Sequence, residues 1–325
     1  PDRNVVLDRL RALLETDGAP GVRAEAALAL ADARASEQLD PLLTALADEH
    51  ERVRQMALMA LGEVAEYDDS RVVDAVRTAL ESPLAPIRYQ ALVALHHITR
   101  ESFGEALNDA LADSDAQVRY VALRIVEERW VGAEREREPS VVSLPRPLLA
   151  GAHRLSEDSA PEVRLAAAIL LARARVDATR APLVDAVNQR IGAREPEDEQ
   201  AAVELAGDLR LAAARLGLER RAFGWRLGRD AFFWHARVAL AKMGHARAIE
   251  TILQGLGALS RDTRTLAVAA AGEAGLTEAL AKLEAMRGDH RRVDQNAVRQ
   301  ALARLDALDA APITPPAAGA RDGFA

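Results

Sequence analysis

Val53-Arg54-Gln55-Met56-Ala57-Leu58-Met59-Ala60-Leu61-Gly62 decides the fold, because the chain writes this stretch again and again. Before it stands Val22-Arg23-Ala24-Glu25-Ala26-Ala27-Leu28-Ala29-Leu30. After it come Ile87-Arg88-Tyr89-Gln90-Ala91-Leu92-Val93-Ala94-Leu95, Val118-Arg119-Tyr120-Val121-Ala122-Leu123 and Val163-Arg164-Leu165-Ala166-Ala167-Ala168-Ile169-Leu170. A looser copy is Thr263-Arg264-Thr265-Leu266-Ala267-Val268. The steps from Val22 are 31, 34, 31 and 45 residues. A period near 31 holds one helical hairpin, which cannot bury its apolar face alone and must stack on its neighbours.

Each repeat reads as a helix A, a short turn and a helix B. In the second repeat, Leu39, Leu42, Leu43 and Leu46 fall at helical spacing and predict helix A over 37–47. Asp48-Glu49-His50-Glu51 is the turn, and helix B runs on to about Gly62. Regular repeats cover 1–130 and 142–175. The 45-residue step predicts an insertion loop over 131–147, rich in Glu and Arg, which serves either as a solvated spacer or as a recognition loop. Divergent repeats are expected over 176–229 and further repeats over 230–308. The tail 309–325, with Pro312, Pro315 and Pro316, is expected to be disordered.

Composition agrees with stacked helices. Of 325 residues, 49% are hydrophobic but only 3% aromatic, so the apolar content is mostly Ala, Leu and Val. That mixture suits close-packed helices and not a β-sandwich. There is no cysteine, which excludes thiol catalysis, disulfides and iron–sulfur clusters. The net charge of −8 weighs against nucleic acid and anionic lipid as partners. Of 42 basic residues only Lys242 and Lys282 are lysine, which reads as genomic bias. The apolar run Leu165–Ala172 is far too short to span a bilayer, and Pro1-Asp2-Arg3-Asn4 is not a signal peptide, so a cytoplasmic location is expected.

An aspartate stands six residues before the repeat arginine in four repeats: Asp17/Arg23, Asp48/Arg54, Asp113/Arg119 and Asp158/Arg164. Arg88 has Ser82 at that place and Arg264 has Ala258. Groups recurring with every repeat are structural, since a reaction centre does not recur every 31 residues. The turn acid is expected to cap helix amides and to pair with the arginine of its own or a neighbouring repeat, forming a ladder that fixes register.

The turn aspartate, the Val-Arg pair, the Ala-Ala-x-Ala-Leu-Gly-like core and the period resemble HEAT repeats, of the short bacterial kind also found in phycobilin lyase subunits. The resemblance is closest over 1–175, looser over 230–308 and weakest over 176–229. It implies an all-α, right-handed α-solenoid of about eight to nine hairpins, with A helices convex and B helices lining the concave side. Members of the family mostly bind other proteins; some modify tetrapyrrole proteins, and one branch excises alkylated bases from DNA.

No enzyme signature accompanies the repeats. The seven histidines, at 50, 96, 97, 153, 235, 245 and 290, form no zinc-enzyme pattern, and adjacent His96 and His97 point too far apart to chelate one metal. No P-loop, Gly-x-Ser-x-Gly or Gly-x-Gly-x-x-Gly occurs, and Gly255-Leu256-Gly257 reads as a helix ending. Neither cofactor nor metal is expected. Acidic residues from Glu195 to Asp208 adjoin arginines from Arg210 to Arg237, either as paired helix faces or as a charged docking patch. Phe223, Trp225, Phe232, Phe233 and Trp234 form either a bulky local core or a surface patch.

The residue after each repeat arginine is Ala24, Gln55, Tyr89, Tyr120, Leu165 and, in the divergent region, Trp234. Four residues on come Leu28, Met59, Val93, Arg124, Ile169 and Val238. These positions share one helical face and lie off the main buried stripe. They either pack on the adjacent B helix or form a partner-binding row of Tyr89, Val93, Tyr120, Arg124, Leu165, Ile169 and Trp234. The expectation is a non-enzymatic scaffold that binds another protein along this face. The alternatives are a subunit like the phycobilin lyases and a DNA glycosylase, the latter disfavoured by the negative charge.

Overall fold

The computed structural model describes residues 3–33, 39–99, 103–132, 144–224 and 230–310. Among the described residues all regular structure is helical, with eighteen α-helices and no strand. No helix among them is long and apolar enough to cross a membrane. The chain divides into two compact units: residues 1–182 with 191–194, and residues 183–190 with 195–325.

The first unit holds five hairpins in chain order. They are α1 (Arg3–Thr16) with α2 (Pro20–Asp32), α3 (Leu39–Ala45) with α4 (Glu51–Val64), and α5 (Ser70–Ala79) with α6 (Ala85–Ile98). Then follow α7 (Gly104–Ala110) with α8 (Ala116–Val126), and α9 (Arg146–Leu155) with α10 (Pro161–Arg173). Pro20, Pro86 and Pro161 sit in the first turns of B helices, where the missing amide costs nothing. Asp115 caps α8 through the amides of Gln117 and Val118.

The B helices α2, α4, α6, α8 and α10 stack in that order. Small residues set their approach: a Cβ added to Gly62 on α4 would lie 3.2 Å from the Ala94 Cα on α6. The repeat valine or isoleucine is buried in Val53, Ile87, Val118 and Val163, and so is the position seven after the arginine, in Leu30, Leu61, Leu95, Val126 and Leu171. Each such leucine contributes about 1.5–3 kcal/mol by leaving water. Helix A of the second repeat is shorter than expected at Leu39–Ala45, residues 34–38 lying outside the described residues.

Helix α11 (Ala181–Val187), whose residues from Leu183 on belong to the second unit, precedes α12 (Pro196–Asp208). Then come α13 (Arg215–Phe223) with α14 (Phe233–Lys242), α15 (Ala246–Gly255) with α16 (Arg261–Glu273), and α17 (Leu280–Ala285) with α18 (Gln295–Ala310). Helices α12, α14, α16 and α18 stack in turn. Two of their crossings require glycine. A Cβ on Gly207 would stand 2.5 Å from the Ala239 Cα, and one on Gly272 would stand 2.6 Å from the Ala301 Cα. The pairs number nine among the described residues, and α15 ends at Gly255 as its sequence predicts.

The boundaries of the expected insertion shift. Glu127–Gly132 continues α8 as a π-helical turn, with Val131 buried, and α9 already starts at Arg146. Residues 133–143, most of the expected recognition loop, lie outside the described residues, as does 311–325 of the expected tail. Helix α18 reaches Ala310, into the region where disorder was expected.

Candidate functional site

The arginine–aspartate ladder forms, with one shift of partner. Arg23 donates from Nε and Nη2 to the two carboxylate oxygens of Asp48, at 2.8 and 2.9 Å. Arg88 holds Asp113 the same way at 2.7 Å in both bonds, and Arg119 holds Asp158 at 2.8 Å in both. The guanidinium therefore reaches the acid of the following repeat. Its own turn receives Nη1–H bonds to backbone carbonyls, the one six residues back in each case, as from Arg23 to Asp17 at 2.9 Å and from Arg54 to Asp48 at 2.7 Å, and for Arg54, Arg119 and Arg164 also the one five back. Arg164 and Asp158 repeat this at 2.6 Å. Arg54 and Arg164 thus bond turn carbonyls; the turn following Arg54 carries Ser82.

Each turn acid also accepts the amide two residues ahead: Asp17 from Ala19, Asp48 from His50, Asp113 from Asp115, Asp158 from Ala160. The Arg23 hydrogen bonds hold the Asp48 carboxyl below the ordinary carboxylate range. For Asp113 and Asp158 burial acts to raise the pKa. The bonds from Arg88 and Arg119, with those from the turn amides, outweigh it and the net shift is downward.

The expected binding row divides. Leu165 and Ile169 are fully buried and belong to the core, and Tyr120, 4% exposed, lies beneath Arg194, so none of the three stands open as a ridge. The reason is legible in the helices. Val163 and every residue from Leu165 to Ala172 on α10 are buried, and α8 is buried at Val118, at Tyr120–Leu123 and at Ile125–Val126. A helix apolar on all sides is an interior helix. Arg124 is half-buried and bonds Glu127 at 2.5 Å. Glu127, buried by the π turn, also pairs with Arg173. Trp234 lies in the second unit, half-buried against Phe233.

What stays open is the face of α2, α4 and α6. Met59 is 41% exposed, and Leu28, Gln55, Tyr89 and Val93 are half-buried. Arg52 pairs with Glu25 at 3.5 Å beside this face, and His97 Nδ1 lies 3.9 Å from Glu63 Oε1. Above Tyr89 and Tyr120 lies Arg194, its guanidinium carbon 5.9 and 5.1 Å from the two ring centroids. Ile191–Arg194 belongs to the first unit, a contact no sequence pattern announces.

The π turn builds a second cluster. Arg129 Nε donates to His96 Nδ1 at 2.9 Å, and its Nη2 donates to the His96 and Thr99 carbonyls. The same guanidinium lies 4.5 Å over the Phe103 ring, while His96 Nε2 faces Glu128 at 3.3 Å. Burial, opposed by Glu128 and reinforced by Arg129 and His97, lowers the His96 pKa below 6.5.

In the second unit the two charged stretches meet at Arg221. Buried Arg221 bonds Glu199 at 2.5 Å, Asp230 at 3.1 Å and the carbonyls of Ala186 and Val187. Arg237 stands within 4.9 Å of the Phe233 and Trp234 rings and 5.8 Å of Phe223, so these half-buried aromatics gather around a cation. Trp225, Arg226 and Arg229 lie outside the described residues. A second ladder, absent from the sequence reading, crosses the B helices. Lys242 Nζ reaches Asp208 at 2.7 Å and Glu273 at 2.8 Å, and Arg304 reaches Glu273 at 2.5 Å. Its signal is the spacing of these four residues, 34, 31 and 31. Among the described residues no His, Asp or Glu cluster is arranged to hold a metal.

The family model of HEAT repeats matches residues 7–70. The X-ray structure of YibA from Escherichia coli, a structural-genomics target, is 15% identical, covers 84% of this chain and 95% of its own, and superposes with a TM-score of 0.50. Human deoxyhypusine hydroxylase, solved with glycerol, is 18% identical over 94% of this chain and 98% of its own, at a TM-score of 0.36. The first likeness speaks to the fold alone, and the second carries no argument. No curated protein matches the sequence. The family match thus falls on the first two hairpins, and the helix-pair plan of those hairpins recurs through the described residues of both units.

Proposed function

We propose that the chain is a protein-binding scaffold whose partner docks on the B-helix face of α2, α4 and α6, acting by binding and not by catalysis. One observation carries the reading: Met59 stands 41% exposed on a helix whose other apolar side chains are buried or half-buried. Leu28 and Val93 occupy the same repeat position on the helices to either side of it. An apolar row on consecutive helices offers anchors of about 1–3 kcal/mol each when a partner covers them.

The test places a photo-crosslinking amino acid at Gln55, one turn from Met59, and as a control at Arg77 on the outer helix α5. The scaffold reading expects a protein captured from position 55 and not from 77. Met59→Glu should then weaken the purified partner at least tenfold with an unchanged melting temperature. Equal capture from both positions, or indifference to Met59→Glu, overturns it.

A further inference from the structure

We infer that the rings of Tyr89 and Tyr120 form a seat for the guanidinium of an arginine-bearing partner segment, and that Arg194 fills this seat as an internal competitor. The inference rests on the binding face proposed above and names the chemistry of its occupant.

The two tyrosines hold the same repeat position on α6 and α8, so neighbouring helices present two rings side by side. Arg194 sits over both within the range of about 6 Å at which a cation is attracted by a ring face. Tyr120 is nearly removed from water, and the attraction grows as the ring is desolvated. Guanidinium is the cation that fits, because its plane stacks on an aromatic face and it sheds water more readily than ammonium.

Arg194 is itself exposed, and it comes from a non-helical segment, so no helix holds its backbone in place. Val93 follows Tyr89 by one helical turn, and Met59 and Leu28 continue the face across α4 and α2. A segment with its arginine in the seat would lay apolar side chains along that row. The net charge of −8 favours a basic segment at long range.

The experiment titrates fluorescent (Gly-Arg)4 and (Gly-Lys)4 peptides into the full chain and its variants. Arg194→Ala should tighten the arginine peptide at least threefold. Tyr89→Leu added to it should abolish that gain, with the melting temperature reporting that the double variant is folded. Arg190→Ala, which also removes an exposed arginine charge, should give no such gain. An equal gain for (Gly-Lys)4, a gain reproduced by Arg190→Ala, or no gain at all overturns the seat. Specific capture at Gln55 alongside any of those results would leave the scaffold standing and remove only its arginine occupant.

Discussion

Arg23 and Asp48 are joined by two parallel hydrogen bonds of 2.8 and 2.9 Å, each from the hairpin next to the other's. The acid that caps one hairpin turn is thus clamped by the preceding B helix, and the register of the stack is written in this pair. Asp48→Ala removes both the clamp and the cap on the His50 amide and should cost about 1–3 kcal/mol. Arg54→Ala removes only carbonyl contacts within its own turn and should cost under about 1 kcal/mol. A double-mutant cycle should find coupling of Asp48 to Arg23 and none to Arg54. Coupling to Arg54 instead would contradict the geometry.

The step after Arg54 offers a gain. Ser82 occupies the ladder position there, its hydroxyl accepting the Leu84 amide at 3.2 Å. Ser82→Asp keeps the cap and supplies the missing carboxylate, which should raise the melting temperature by about 1–4 °C. The rise should vanish in an Arg54→Ala background. Persistence there would mean that the acid acts on the helix end alone.

The hairpins were legible because Val-Arg and Ala-x-x-Ala-Leu recur with the period of a stacked helix pair. The partner of each arginine was not. Asp48 lies six residues before Arg54 and 25 after Arg23, and only stacking brings the distant pair into contact. The row through Leu165 and Ile169 was misassigned because spacing identifies a shared face, not whether that face stays open. The all-round apolar run of α10 held the answer. Glu127 and Arg194 left no trace, since a π turn and a contact with Tyr120 from 74 residues away follow no local pattern. The ladder of Asp208, Lys242, Glu273 and Arg304 was readable from spacing alone, in repeats whose Val-Arg marker is lost or loose.

Acid should weaken the fold in two windows. His96 accepts a hydrogen bond at Nδ1 from Arg129 and must be neutral there to do so. Its folded pKa lies below 6.5, so the unfolded chain binds the proton first, and the stability it contributes above 6.5 is lost as pH falls through the folded value. Asp48, Asp113 and Asp158 are lowered from 3.8 and act the same way below that pH. Melting temperatures across pH 7 to 3 should show both declines. His96→Gln should flatten the upper one and spare the lower; an unchanged upper decline would place it elsewhere.

Lys242 gives the sharpest test of the second unit. Its ammonium bridges Asp208 and Glu273 with its side chain only 19% exposed. Burial alone would lower its pKa, but the two carboxylates outweigh burial and raise it above 10.5. The unfolded chain therefore loses that proton first, and the stability from Lys242 is complete below 10.5 and lost as pH rises through the folded value. Lys242→Met keeps the buried stem and removes the charge, leaving two acids facing each other with only Glu273 still held by Arg304. The loss should be about 1–2 kcal/mol at low salt. It should shrink in 1 M salt, where repulsion between half-exposed carboxylates is screened within about 3 Å. Hydrogen exchange should place the loosening in α12, α14 and α16. A variant as stable as the parent at low salt, or one whose loss ignores salt, would show that the bridge holds nothing together.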